Sequence, residues 1–352
     1  MPHNLHFHPL FCNNFFREDS LPAHKQLASF AKISHICGEL PSYIYLCFTM
    51  TTALPFLAAP RTHAPLQNAS DTLGLPILRS PDGASYNVVR GVPIFVNSDA
   101  ADVGHDTTHR AAEFEEMYQS LNEPWKYSGR MAEVLRHEFV SAIAPDVCPA
   151  PEWVLDLGCS VGQLSAHLGK QFPRIASLDV SATAVWKAQE YCAAMNNGSS
   201  ATEFAFVVGS ATELPFAAES FSLVVASDGL FGWELSEAAQ KEVVSEIVRV
   251  LKPGGVAIFT DYLGHKKFDR LFRLIDQSPL RRERTEYLHD RLWYQMESWL
   301  HLIQNTGFAK AVLRNRPLAL GLRSIAQLFG AWASKHVCVV ARKSLFEKSE
   351  SR

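Results

Sequence analysis

From position 153 onward, short apolar runs alternate with longer amphipathic ones. Residues 153–157, 174–180, 204–208, 221–226 and 256–260 read as strands, each brief and mostly apolar. Between them the spacing predicts helices over 162–170, 183–195 and 237–251, and Pro253-Gly-Gly255 reads as a turn. Alternating strands and helices predict an α/β architecture, a mostly parallel sheet covered on both faces. Ligands bind such sheets at the carboxyl ends of the strands, near the switch in strand order.

Upstream the pattern is weaker. Glu113, Phe114, Met117, Tyr118 and Leu121 give a period near that of a helix within 111–144, broken at Pro124, and a second helix is expected over 129–143. Residues 86–96 read as two short strands around a turn, interrupted at Gly91 and Pro93. Residues 98–110 read as a polar linker. The first 49 residues lack sustained periodicity, and Met50 reads as a later start. Four segments are therefore expected: a poorly ordered extension over 1–70, a small β-hairpin and linker over 71–110, the main domain over 111–343 and a tail over 344–352. Within the main domain, 263–292 carries Phe268, Leu271, Phe272, Leu274 and Ile275 at helical spacing, then Arg281-Arg-Glu-Arg284. It reads either as a lid whose arginines meet an anionic group, or as a helix packed on the core.

Composition narrows the function. A chain of 352 residues with 47% hydrophobic content can bury a large core. A net charge of −3 offers no basic excess for nucleic acid or an acidic membrane. Seven cysteines without a C-x-x-C pair indicate neither zinc nor a redox dithiol, and fit reduced thiols in the cytoplasm. His3, His6 and His8 have no second ligand cluster, so no metal is expected. No apolar run reaches the ~20 residues of a membrane span. The nearest, 36–60, is interrupted by Glu39, Pro41 and Pro55; Ala58-Ala59 could end a signal peptide, but the basic segment before it is poorly placed.

The strongest local signal is Val154-Leu-Asp-Leu-Gly-Cys-Ser-Val-Gly162, a strand ending in an acid, a glycine turn and a helix start. A dinucleotide loop is spaced G-x-G-x-x-G, so that a diphosphate can approach backbone amides. Here the spacing is G-x-x-x-G, and Asp156 would repel a diphosphate while attracting an ammonium. S-adenosylmethionine (SAM) carries an ammonium and a sulfonium and no phosphate, so charge favours SAM over NAD. Asp179 ends the next strand, where a carboxylate can accept hydrogen bonds from ribose hydroxyls. Asp179 and Ser181 also suit a helix cap.

Asp156-Leu-Gly-Cys-Ser-Val-Gly162, Leu178-Asp-Val-Ser181, Gly209-Ser-Ala-Thr-Glu-Leu-Pro-Phe216, Phe221-Ser-Leu-Val-Val225 and Arg249-Val-Leu-Lys-Pro-Gly-Gly255 occur in this order. The set resembles the class I SAM-dependent methyltransferase family over about 110–343. The resemblance implies a Rossmann-like, seven-stranded, mostly parallel sheet with only the last strand antiparallel, and 308–313 and 336–341 resemble its final β-hairpin. It places Asp156, Gly158 and Gly162 around the methionine part of SAM, with backbone contacts from Cys159 and Ser160. It puts Asp179 on the ribose and Val180 against the adenine. Ser210 and Ala211 fall near the adenine amine, where the family often has an acid, and Ser227 and Asp228 face the sulfonium and the acceptor. Residues 123–136 resemble the nodulation type of N-methyltransferase, which acts on an amine of a modified amino sugar. Residues 79–95 resemble the end of a zinc ribbon, but its cysteines are absent here, which leaves a structural hairpin.

Trp125, Tyr127, Leu230, Phe231, Trp233, Phe268 and Phe272 suggest a pocket mouth for a small-molecule or glycan acceptor, methylated on N or O. Asp228, Glu234, Asp261 and His265 follow the fourth and fifth strands, where a base could reach. No motif singles one out, so no catalytic residue is named. Two other readings stand beside this one: a non-catalytic SAM-binding regulator or partner subunit, and an NAD-dependent oxidoreductase.

Overall fold

The structure, a computed structural model, describes residues 54–96, 105–196, 202–232, 235–300 and 306–345. The expected start at Met50 and the first 53 residues lie outside these.

Four short strands come first: Gln67–Ser70 (β1), Pro76–Arg79 (β2), Ser85–Val89 (β3) and Val92–Pro93 (β4), paired antiparallel in sequence order. Their turns are written locally. The Asp71 carboxylate accepts from the N–H groups of Leu73 and Leu75, and Asp82 accepts from Ala84 N–H. This is a four-stranded sheet, larger than the expected hairpin. The packed chain also starts earlier than position 71: Leu54, Leu57, Ala58 and Ala59 are buried, and Ala58 N–H donates to the Pro215 carbonyl. Beyond β4, Ile94 bridges Val208, so the small sheet leads the chain along an edge of the main one.

Two helices follow, His105–Ser120 (α1) and Met131–Val147 (α2). The former begins inside the stretch expected to be a linker. The main sheet contains Val154–Leu157 (β5), Arg174–Asp179 (β6), Glu203–Val208 (β7), Phe221–Ser227 (β8), Leu251–Tyr262 (β9), Leu280–Tyr287 (β10) and His336–Lys343 (β11). Its order is β10-β11-β9-β8-β5-β6-β7, and only β11 runs antiparallel to the rest. Strand order reverses direction at β5, which lies between β6 and β8. Alternate residues face opposite layers, so Leu155, Leu157, Ala257 and Phe259 enter one core and Val154, Val256 and Ile258 the other. Pro253-Gly-Gly255 is a bulge within β9, where Phe221 faces Leu251 and Leu223 faces Val256. Between strands lie Gln163–Leu168 (α3), Ala182–Met195 (α4), Glu237–Val250 (α5) and Phe268–Asp276 (α6).

The sixth strand corrects the expected hairpin. It is β10, while 308–313 is helical, capped by the Thr306 hydroxyl accepting from Ala309 N–H. As an edge strand, β10 reads as charge alternation, with Arg282 paired to Asp276, Glu283 to Arg342 and Arg284 to Glu286. These arginines are therefore engaged within the strand and its neighbours. α6 buries Phe268, Leu271, Leu274 and Ile275 in the main core, so 263–292 is not a lid. The insertion lies further on, between β10 and β11: Arg291–Leu300 (α7), Gly307–Leu313 (α8) and Arg316–Gln327 (α9).

Candidate functional site

The carboxyl ends of β7, β6, β5 and β8 stand side by side in that order. Ser210, Val180, Gly158 and Asp228 follow them, each half-exposed, so they form a rim over the sheet edge. Ala211 continues it, also half-exposed. The turn after β5 is tied to β6, because Gly158 and Cys159 both donate N–H to the Leu178 carbonyl, at 2.8 and 3.0 Å. Ser160 N–H donates to Asp179 Oδ2 at 2.9 Å, and Ser181 N–H to Oδ1 at 3.0 Å. Cys159 and Ser160 therefore have their N–H groups occupied within the fold, and the Cys159 carbonyl accepts from Gly162 N–H. The Asp179 carboxylate is held in one orientation and keeps further lone pairs.

Asp156 is fully buried. The Ser165 hydroxyl, itself receiving from Ser177, donates to its Oδ2 at 2.5 Å, while its Oδ1 has no partner. Burial is the main reason its carboxyl is pushed up to about 7. The two glycines differ. A Cβ on Gly158 would meet only the carbonyls of Asp228 and Ser227, at 3.6 and 3.7 Å. A Cβ on Gly162 would lie 2.9 Å from Ala188 Cα, so Gly162 serves the contact of the turn with α4. Over the turn, the Tyr118 and Ser160 hydroxyls bond at 2.6 Å and Trp125 Nε1 donates to Tyr118 at 3.1 Å. Glu115 accepts from Ser181, Thr183 Oγ1 and Thr183 N–H at the start of α4, which docks α1 there.

Beyond Asp228 lies a buried polar cluster, of which the sequence segment 123–136 supplied Glu133 and Arg136 but not their partners. Arg136 from α2 donates to Ser227 Oγ at 2.6 Å and pairs with Asp228 at 2.5 Å and with Glu133 at 3.0 Å. Glu133 also receives the Tyr294 hydroxyl. Burial would raise the Glu133 carboxyl, but Arg136 and Arg130 hold it well below the usual range. His336, at the start of β11, sits 2.5 Å from Asp290 through Nδ1 and 3.5 Å from Asp228 through Nε2. Burial would lower its pKa; the two carboxylates outweigh burial and push it up to about 10. Glu133, Asp228 and His336 are close enough together to ligate a metal. Arg136 already pairs with two of them, and a dication beside a guanidinium is disfavoured, so the donor set suits internal ion pairing. A helix that reads as apolar around Leu135 and Val140 could have given one signal, since it buries Glu133, Arg136 and His137 among them.

The other expected groups fall elsewhere. Asp261 is buried and accepts from Leu230 and Phe231 N–H, which makes it a loop clamp. His265 lies by Arg291. Leu230, Phe231 and Phe268 belong to the core, not to a pocket mouth, and Tyr127 packs against Arg136. Trp233 and Glu234 lie outside the described residues. A shallow cleft of about 20 Å³, room for about one water, is lined by Leu135, Arg136, Asp290, Trp293, Ala319 and Arg323. It joins the insertion to the polar cluster.

Residues 154–255 match the family model described as a methyltransferase domain. An uncharacterized methyltransferase of Synechocystis sp. is 34% identical over 119 residues, which are 34% of this chain and 50% of that one. A demethylmenaquinone methyltransferase of Clavibacter sepedonicus is 27% identical over 187 residues, 49% of this chain and 71% of that one. The chain spans about half the length of the first curated relatives it matches. Among solved structures, the N-methyltransferase NodS of Bradyrhizobium japonicum with S-adenosyl-L-homocysteine is 15% identical, covers 66% of this chain and 98% of its own, and has a TM-score of 0.45.

Proposed function

We propose that the protein, whose residues 154–255 match a methyltransferase domain, is a class I SAM-dependent methyltransferase that transfers a methyl group to N or O of a small-molecule or glycan acceptor. The observation that carries this is Asp156, a buried carboxylate with one oxygen unpartnered beside the open backbone of Gly158. A buried unpaired acceptor is costly unless a ligand completes it, and an ammonium does so. SAM, when bound, supplies an activated methyl on its sulfonium. Asp156 would take the ammonium, and the turn from Gly158 through Cys159 and Ser160 to Gly162 would wrap the methionine part. Asp179 would take the ribose, Val180 would pack on the adenine, and Ser210 and Ala211 would flank it. Ser227 and Asp228 would stand between donor and acceptor, with Arg136 and His336 fixing the Asp228 carboxylate in place. The work left to the protein is alignment and exclusion of water. Four free thiols among the described residues support a cytoplasmic setting.

Calorimetry with SAM and with NAD tests the cofactor, and transfer of labelled methyl to extract fractions tests turnover. SAM binding with transfer is the expected result. NAD binding without SAM binding would overturn the reading, and SAM binding without transfer to any fraction would favour a regulator.

A further inference from the structure

From Ser298 to Phe346 the sequence contains no Asp or Glu, in a chain that has 36 acidic residues in all. The described part of that stretch holds Lys310, Arg314, Arg316, Arg323 and Lys335 ahead of β11. The net charge of −3 for the whole chain conceals this local excess. Arg316 pairs with Glu138 and Arg323 lies over Phe139, while Lys310 and Arg314 are exposed.

The same segment exposes large apolar side chains: Leu328 is 83% exposed, Phe308 66%, Phe329 57%, Ile325 53% and Trp332 50%. On α9 and its C-cap the exposed Leu318, Gly321, Ile325 and Leu328 recur at i, i+3, i+7 and i+10, one face of a helix with 3.6 residues per turn. A neighbouring face, with Ala319 and Ala326, is buried against the domain. α9 thus packs by one stripe and presents a second apolar stripe outward, and the exposed Lys310 and Arg314 lie at the helix that precedes it. Elsewhere among the described residues the exposed large apolar side chains are scattered along the chain, as on ordinary surfaces.

We propose that this insertion docks on an anionic lipid surface, with the outward stripe of α9, Phe329 and Trp332 entering the headgroup region and Lys310 and Arg314 meeting lipid phosphates. Apolar and aromatic residues in one stretch with cations and no acid along the sequence are the pattern of a helix that lies in a membrane interface. Charge argues against a second copy as the occupant. A symmetric contact would set the same patch against itself, cation facing cation. The proposal is independent of methyl transfer, since none of these residues belongs to the rim or the polar cluster.

The test is co-sedimentation of the full-length protein with vesicles of phosphatidylcholine, with and without phosphatidylglycerol. Binding should be at least tenfold stronger to the anionic vesicles and should weaken in high salt. The double variants Leu328→Glu with Phe329→Glu, and Lys310→Glu with Arg314→Glu, should each lose about tenfold in vesicle binding. Both should keep SAM binding and the circular dichroism of the parent, because these side chains are exposed. Absence of binding, or equal binding to both vesicle types, would overturn the proposal. So would dimers in light scattering that the same variants dissolve.

Discussion

At the scale of single residues, Asp156 makes the cofactor proposal testable by pH. Its carboxyl is pushed up to about 7 in the unliganded protein, from an ordinary value of 3.8. An ammonium at Oδ1 favours the ionised form and lowers that pKa. Between about pH 4 and 7, SAM binding must therefore expel a proton. Affinity should rise with pH across that window, by up to about tenfold per unit, and level off above 7. Calorimetry at pH 6 in buffers of different ionisation enthalpy reads the released proton directly; identical heats in the two buffers would remove the assignment. Asp156→Asn should abolish the release and weaken SAM at least tenfold, on the order of 1.5–3 kcal/mol for a charged hydrogen bond.

The two glycines of the turn, alike in sequence, separate in the same way. Gly162→Ala sets a Cβ 2.9 Å from the α4 backbone at a φ of +84. Overpacking and left-handed strain together should cost about 3 kcal/mol of stability. Gly158→Ala has room, at 3.6 Å from its nearest neighbour, and should cost only about 1 kcal/mol. It should still lower SAM affinity at least tenfold, because the new methyl group stands where the cofactor approaches. Urea midpoints and SAM titrations on both variants decide this; equal stability losses would show that the turn has one role throughout. Asp156 and Gly158 were legible in sequence because a strand-end acid and a glycine turn are contiguous. The joining of Arg136 to Asp290 and His336 was not, because only the folded sheet brings α2, the start of α7 and the start of β11 together.

Among elements, the strands with continuous apolar runs were legible and β10 was not. Its pattern is Arg-Arg-Glu-Arg, since an edge strand satisfies its side chains with ion pairs rather than burial. The apolar run 308–313 looked like the missing strand, yet its residues are capped into a helix by Thr306. The joint between α2, α7 and β11 has a pH signature. His336 carries a pKa of about 10, above the unfolded value of 6.5. Its contribution to stability is fully present below about pH 6.5 and is lost as pH rises through about 10. At about 1.4 kcal/mol per tenfold change, the loss amounts to a few kcal/mol. Melting temperature should therefore fall between pH 7 and 10. His336→Gln should start lower at pH 7, having broken a buried ion pair, and change less over that range. Parallel pH profiles for the two proteins would contradict this account of the joint.

For the molecule as a whole, the question is where the folded unit begins. Periodicity suggested that little before position 71 would pack, because 54–60 is too short to show any period. The structure places Leu54, Leu57, Ala58 and Ala59 in the interior, and sets the Phe56 ring edge-on to Trp153, Phe216 and Phe221. Leu57 bridges Phe216 and Ala217 N–H donates to the Phe56 carbonyl, so this short segment is tied to the chain between β7 and β8. Burying a leucine or phenylalanine side chain stabilises by roughly 1.5–3 kcal/mol. Three such residues approach the ~5–15 kcal/mol of a whole domain. A protein starting at Met50 retains them, and one starting at Arg61 loses them together with their backbone bonds. The first should unfold cooperatively in urea. The second should show a midpoint lower by several kcal/mol of stability, or no folded baseline, and its Trp153 fluorescence should shift to the red as that ring gains water. Coincident urea curves for the two proteins would mean that 54–60 lies on the domain without holding it together.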